Sequence, residues 1–136
     1  MAIRAFLSFV VEDLNLANLF RGQAKNEAFD LEFSDYSIKE PFNSINAAYI
    51  QRGITQQLNY ATLTICLYGP TTWTSEWVVW ELNRTIELGK PIMGVYLYND
   101  GRIKYYPAPL EKYPRVPWNI PNIVQTMNQL ARDYRT

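Results

Sequence analysis

The chain has 136 residues, 48% of them hydrophobic, and its 13 basic side chains balance its 13 acidic ones. This length and composition suit one globular domain with a substantial core, and the even charge argues against a general nucleic-acid binder. No apolar run approaches the roughly 20 residues that a membrane-crossing helix needs, so no membrane partner is expected. We therefore predict a single domain over residues 1–136. With one cysteine and no signal-peptide pattern at the start, a cytoplasmic location is expected.

Apolar runs and helical periodicities alternate along the chain. In chain order they predict a strand at 3–11, a helix at 12–26, a strand at 29–34, a loop at 35–43, a helix at 44–60, a strand at 61–68, a helix at 75–88, a strand at 91–98, a mostly irregular segment at 99–121 and a helix at 122–134. Asp13 and Ser75 are suited to cap the first and third helices, and Gly89 and Pro91 end the third.

Strands that alternate with helices predict a parallel sheet. We expect the α/β class, with a small, flavodoxin-like, doubly wound sheet of four strands and helices on both faces. Ligands of such sheets bind outside the carboxyl ends of the strands, here near residues 8–12, 34–43, 68–75 and from 99 onward. The tyrosines and prolines of 96–118 either cover the sheet edge or form a partner surface, and proline's tolerance at edges favours cover.

The absence of histidine limits the possible chemistry. It excludes the Ser-His and Cys-His nucleophile pairs and, with Cys66 as the single cysteine, leaves almost no ligands for zinc, so no metal site is predicted. Two common phosphate-binding loops, GxxxxGK[ST] and GxGxxG, are also missing. If the protein is an enzyme, its carboxylates, hydroxyls and backbone groups must do the chemistry, and no cofactor is predicted.

Three of the four tryptophans lie within residues 73–80, close to two glutamates. Trp77 and Glu81 are one turn apart on the third predicted helix, so their side chains are neighbours. An aromatic ring beside a carboxylate suits a flat, cationic or sugar-bearing ligand. The alternative, which spacing alone favours, is that the tryptophans are core residues and that Glu81 pairs with Arg84 or Lys90 on the surface.

Three stretches of the sequence resemble the TIR-like family, in particular the branch found in bacterial Thoeris anti-phage systems. They are RAFLSFVVED at the first strand, DYSIKEPFNS after the second, and SEWVVWELNRTIELGKPIMGVYL. The resemblance extends over residues 4–98 and is most specific in Ser-x-Trp-Val-x-x-Glu followed by Gly-Lys-Pro-Ile. The chain departs from the family in lacking the Arg-Asp-x-x-Pro-Gly loop of animal and plant TIR domains, and in having Val10 where some NAD-cleaving relatives carry a basic residue.

The resemblance implies a set of site residues. By it, Glu81 is the catalytic residue and Trp77 stacks near the nicotinamide ribose. The other nucleotide contacts that it implies lie after the first strand and in the loop after the second, namely Ser8, Phe9, Asp35, Tyr36 and Ser37. The loop at 35–44 would cover the site.

The resemblance also implies a function, in which the protein cleaves NAD, its substrate, at the nicotinamide–ribose bond. The product would be a cyclic ADP-ribose-type signal that activates a partner effector, after a trigger of phage origin and with self-association as a further expectation. A non-enzymatic TIR adaptor that acts by self-association or partner binding is the alternative. A phosphoacceptor receiver shares this fold class, but the third strand ends in CLYGP and offers no aspartate.

Overall fold

The computed structural model describes residues 3–27, 31–36 and 40–134, which form five strands and four α-helices. Their bounds are β1 (Ile3–Ser8), α1 (Leu14–Glu27), β2 (Leu31–Ser34), α2 (Ala47–Tyr60), β3 (Leu63–Tyr68), α3 (Glu76–Glu87), β4 (Ile92–Tyr96), β5 (Arg115–Pro117) and α4 (Ile120–Asp133). The strands make one parallel sheet in the order β2-β1-β3-β4-β5. The predicted α/β class and doubly wound, flavodoxin-like order are confirmed.

Side chains along the strands alternate between the two faces of the sheet, and each face is covered by helices. Leu7, Ile65 and Val95 pack on one face with apolar residues of α1 and α4. Phe6 packs on the other face with α2, and Cys66 packs there with α3. Since the face of a strand residue follows from its position in the alternation, Ser8, two residues after Phe6, lies on the side of α2 and α3.

The start and end of α3 follow the local chemistry of its sequence. The Ser75 side chain accepts a hydrogen bond from the Val78 amide at 3.2 Å and so caps the helix, as predicted. Beyond the other end, Gly89 has a φ of 76°, a left-handed conformation that glycine adopts at little cost. The helix is therefore fixed in register, which determines the side that Glu81 occupies.

Several predicted boundaries are wrong. β1 ends at Ser8 rather than at residue 11, because the chain turns into a 3-10 helix at Val11–Asp13 and its apolar residues leave the sheet. Asp13 is the last residue of that turn, and its carboxylate makes no capping hydrogen bond to a described residue. The predicted strand at 29–34 is seen as β2 from Leu31, and Phe29 and Asp30 lie outside the described residues.

The segment predicted as irregular contains a fifth strand, and the helix after it begins earlier than predicted. β5 has three residues, pairs with β4 at the sheet edge and includes Pro117, which an edge strand tolerates. Ahead of it, Leu110 is fully buried, and Ile103 and Tyr113 pack against the same cluster. This segment therefore covers the sheet edge, which is the alternative that the sequence favoured over a partner surface. None of the helices seen in 3–27, 31–36 and 40–134 is both long and apolar enough to span a bilayer.

Lys90, which lies just before β4, binds the C-terminal end of α2, and its removal is expected to destabilise the fold. Its Nζ donates to the carbonyl oxygens of Leu58, Asn59 and Ala61 at 2.6, 2.8 and 2.7 Å. Lys90→Ala should lower the free energy of unfolding by about 1–3 kcal/mol, because carbonyls lose their donor. Urea unfolding measures the change, with Lys25→Ala, an exposed lysine on α1, as the control. Equal effects of the two substitutions would contradict this role.

Candidate functional site

A cavity of about 660 Å³ opens at the carboxyl ends of β1, β2 and β3. In the sheet, β1 lies between β2 and β3, so the connections on its two sides run in opposite directions along the sheet. Doubly wound sheets bind their ligands at such a switch point. Three of the four predicted strand ends meet at this cavity, whereas no residue from 99 onward lines it. Its lining consists of Leu7, Phe9, Val10, Val11, Glu12, Leu14, Asp35, Tyr36, Thr71, Thr74, Ser75, Trp77 and Glu81.

Glu81 lies on the α3 side of this cavity and is almost fully buried, with 4% of its surface exposed. The Ser8 hydroxyl donates a hydrogen bond to its Oε1 atom at 2.6 Å. Burial raises the pKa of Glu81 to about 8, the Ser8 hydrogen bond opposes the rise, and the negative charge of Asp35 adds to it. The carboxyl group is therefore mostly protonated in the empty site at neutral pH.

The surface alternative for Glu81 is excluded by this geometry. Arg84 instead approaches Glu87 and Thr55, and Lys90 is used at the end of α2. Glu76, the other glutamate of this stretch, is exposed in the first turn of α3, as expected for a solvated residue. A buried carboxyl group with a strongly raised pKa in a cleft is typical of a functional site.

The sequence left open whether Trp77 packs in the core or lies at the ligand site, and the structure shows it both packed on other aromatic rings and lining the cavity. It lines the cavity, yet it also packs edge-on against Trp80 and Phe42, with ring centroids 6.2 and 4.9 Å away. Its Nε1 atom donates to the Glu40 carbonyl oxygen at 3.0 Å. The indole therefore connects α3 to the loop after β2, so the position of that loop and the shape of the cavity depend on each other.

Most of the other predicted contacts also meet at this cavity. Phe9, Asp35 and Tyr36 line it, and Ser8 reaches it through its hydrogen bond to Glu81. The Tyr36 ring lies so close to Gly53 of α2 that a Cβ there would come within 2.8 Å of it. Ser37 lies outside the described residues, so its predicted contact stays a prediction.

Sequence reasoning did not single out several lining residues, and it missed one nearby cation. Glu12, Thr71 and Thr74 line the cavity and lie in the strand-end ranges 8–12 and 68–75 that the sequence predicted, but none of them was named as a contact. Arg21 of α1 forms an ion pair with Asp35 at 2.6 Å and lies 5.9 Å from the centre of the Phe9 ring. Nothing in the sequence pattern marks Arg21, because its contact depends on how α1 packs beside β2.

Metal and thiol chemistry find no support around this cavity. Within the described ranges, no three acidic or thiol side chains are grouped closely enough to hold a metal ion. The Cys66 thiol is free and fully buried, and burial raises its pKa well above the ordinary value, with Glu81 and Asp13 adding to the rise. It is therefore an inert core cysteine rather than a nucleophile.

A protein-family model gives the decisive comparison for this fold and site. The model of the TIR-like domain of the Thoeris protein ThsB matches residues 6–102, which is well over half of the chain. The chain belongs to this family. The match includes the end of β1, the loop after β2, and α3, and every residue named in the cavity lining lies within it. No curated protein is similar enough in sequence to this TIR-like domain to count as a match.

Solved structures show the same fold at low sequence identity. A 3-dehydroquinate dehydratase-like protein from Bifidobacterium longum has a TM-score of 0.56 at 14% identity, over 97% of each chain. A fungal multi-domain GH3 β-N-acetylglucosaminidase that contains a GCN5-related glucosamine N-acetyltransferase region has a TM-score of 0.54 at 13% identity, over 98% of this chain and 14% of the other. The TIR domains of the Roq1 resistosome have a TM-score of 0.47 at 16% identity, over 96% of this chain and 84% of the other. That TM-score is too low to carry an argument.

The raised pKa of Glu81 predicts a pH dependence of stability. Between its unfolded value near 4.5 and its folded value of about 8, the folded TIR-like domain keeps a proton that the unfolded chain has lost. Rising pH through this window therefore lowers the free energy of unfolding, by at most about 1.4 kcal/mol per pH unit for one proton, and the loss is complete above pH 8.

Urea unfolding of wild type and Glu81→Gln at several pH values measures this contribution. The neutral amide cannot ionise, so the variant should become more stable relative to wild type as the pH rises. Subtracting the two curves removes the titration of other groups. A difference that does not change between pH 5 and 8 would show that Glu81 ionises normally in the folded protein.

Proposed function

We propose that this TIR-like domain cleaves NAD at the bond between nicotinamide and ribose, with Glu81 as the catalytic residue. The observation that carries the proposal is the buried Glu81 carboxyl group, held by Ser8 in a cavity at the switch point of the sheet. The family supports a role in anti-phage defence. NAD enters as the substrate, and no separate cofactor is needed for the reaction.

The chemistry suits a site without histidine. When the nitrogen–C1′ bond breaks, its electron pair goes to the pyridinium ring, so nicotinamide leaves as a neutral molecule without a proton donor. The positive charge that develops on the ribose is stabilised by a carboxylate, as in glycoside hydrolysis. Glu81 supplies that carboxylate, and its Ser8 partner holds the Oε1 atom in place.

Ionisation of Glu81 would be coupled to substrate binding. In the empty cavity its pKa is about 8, and a positively charged nicotinamide ring nearby favours the carboxylate form. The ligand that needs the negative charge would thus help to create it. For the free enzyme, kcat/KM should still rise with pH up to about 8, because that parameter reports ionisation before the substrate binds.

An apolar lining supports internal attack over hydrolysis. Leu7, Val10, Val11 and Leu14 line the cavity together with aromatic rings, which limits the water near C1′. If a nitrogen or hydroxyl of the same molecule attacks C1′, the product is a cyclic ADP-ribose isomer, whereas attack by water gives ADP-ribose. We propose the cyclic product, a diffusible signal for a partner effector.

Assembly of copies is a further part of the proposal, and it also favours the adaptor as a second candidate function. At the end of the loop after β2, Ile45 is 97% exposed, and Tyr49 on the first turn of α2 is 67% exposed. Exposed apolar side chains of this kind are typical of contact surfaces. Because Trp77 connects this loop to α3, contacts made there would act on the cavity directly.

Glu81→Gln should abolish the release of nicotinamide from NAD while the protein remains folded. The amide keeps the shape of the side chain but cannot carry the negative charge, so the cost should be on the order of 100-fold or more. Mass spectrometry of the products measures it. Glu76→Gln is the matched control, because it removes an exposed carboxylate five residues earlier on the same helix. Normal turnover by Glu81→Gln would overturn the catalytic assignment of Glu81.

Dilute purified protein should turn over NAD slowly, and concentrated protein or lysate from phage-infected cells should accelerate it. The reason is that the cavity wall includes the loop after β2, and contacts between copies or with a trigger would fix that loop and exclude water. Product formation per molecule, measured over a range of protein concentrations with and without lysate, tests this. Fast turnover at high dilution with nothing added would show that the site is already complete, and the trigger would be discarded.

A further inference from the structure

The charge around the cavity poses a problem for a dinucleotide. Three of the lining residues are acidic, Glu12, Asp35 and Glu81, and no lining residue in the described part of the chain is lysine or arginine. The substrate that we propose carries a pyrophosphate group with two negative charges. Like charges at close range repel, so a cavity with only acidic side chains would disfavour that group.

Arg21 supplies a cation directly behind this lining. It lies on α1, and its Nη2 atom is 2.6 Å from the Oδ1 atom of Asp35. Its Nη1 atom donates to the Asn18 side chain at 2.8 Å, which holds the guanidinium group in position, and its charge also faces the Phe9 ring. Through Asp35 and Phe9, Arg21 contacts two sides of the cavity without lining it.

The contact between Arg21 and Asp35 is electrostatic rather than a directed hydrogen bond. The buried Nη2 atom makes no well-aligned hydrogen bond within the described residues, although the two charges are in contact. The side chains of Arg21 and Asp35 are 25% and 27% exposed, so solvent screens the pair only in part. A half-shielded pair of this kind changes the local potential more than a fully exposed one.

We propose that Arg21 is a positioning residue that neutralises Asp35, so that this side of the cavity accepts the pyrophosphate group of a dinucleotide. The inference rests on the proposed function, because NAD is the ligand whose charge must be accommodated. Asp35 is also the charge that adds to the raised pKa of Glu81, so its pairing with Arg21 also affects how easily Glu81 ionises.

Calorimetric titration with ADP-ribose tests this, because it measures dinucleotide binding without turnover. Arg21→Gln should weaken binding about fivefold to tenfold, and the loss should shrink at high salt, which screens the exposed charge of Asp35. Asp35→Asn in addition should restore the affinity to within about twofold of wild type, since no charge is left to neutralise. Arg52→Gln, which removes an exposed charge from α2, is the matched control and should have little effect.

Three outcomes would overturn the proposal. If the double variant binds as weakly as Arg21→Gln, then Arg21 does not act through Asp35; thermal melting shows whether that loss is one of folding. If Arg21→Gln binds as well as wild type, or if wild type binds no ADP-ribose, Arg21 has no such role. Wild-type binding of ADP-ribose with no turnover of NAD under any condition would instead sink the proposed function and leave the role of Arg21 standing.

Discussion

The hydrogen bond between Ser8 and Glu81 joins the last residue of β1 to the second turn of α3, and the cavity is arranged around it. Ser8 lies on this face because of the strand alternation that buries Phe6, and Glu81 faces it because Ser75 fixes where α3 begins. A carboxyl group in such a position is costly when ionised, since almost none of its surface is exposed to water. The pKa of the Glu81 carboxyl group is therefore set mainly by the surrounding fold.

The cavity wall also depends on packing between elements that are far apart in sequence. Tyr36, just after β2, rests against Gly53 of α2, and Trp77 of α3 binds the Glu40 carbonyl group and packs on Phe42. The loop after β2 is thus in contact with both helices on that face of the sheet. A displacement of either helix or of the loop would alter the cavity, and this is how a contact made at the surface could be transmitted to Glu81.

Much of the fold was predictable from the sequence, and the misses have physical causes. Alternating apolar runs and helical periods identified four strands and four helices, because burial on a sheet imposes those periods. The short β5 was missed because a strand of three residues that includes Pro117 has too little pattern to recognise. β1 was predicted too long because the apolar residues Phe9 and Val10 line the cavity instead of continuing the strand. Glu81 and Trp77 were marked by spacing and resemblance, whereas the contact of Arg21 with Asp35 depends on tertiary packing that no local pattern encodes.

A chain without histidine ordinarily has few side chains that change charge near neutral pH. Burial gives Glu81 a pKa of about 8, so a carboxyl group occupies the pH range that histidine usually covers. The neutral form spares the fold a buried charge and, under the proposed function, would spare an anionic dinucleotide one repulsion. In the proposed reaction a cationic nicotinamide ring close to Glu81 would reverse that preference and restore the carboxylate where positive charge develops. An imidazole in the same place would also lose its proton near a cation, but it would become neutral rather than negative. A buried carboxyl group can therefore provide a negative charge when a cation approaches, which a histidine side chain cannot do.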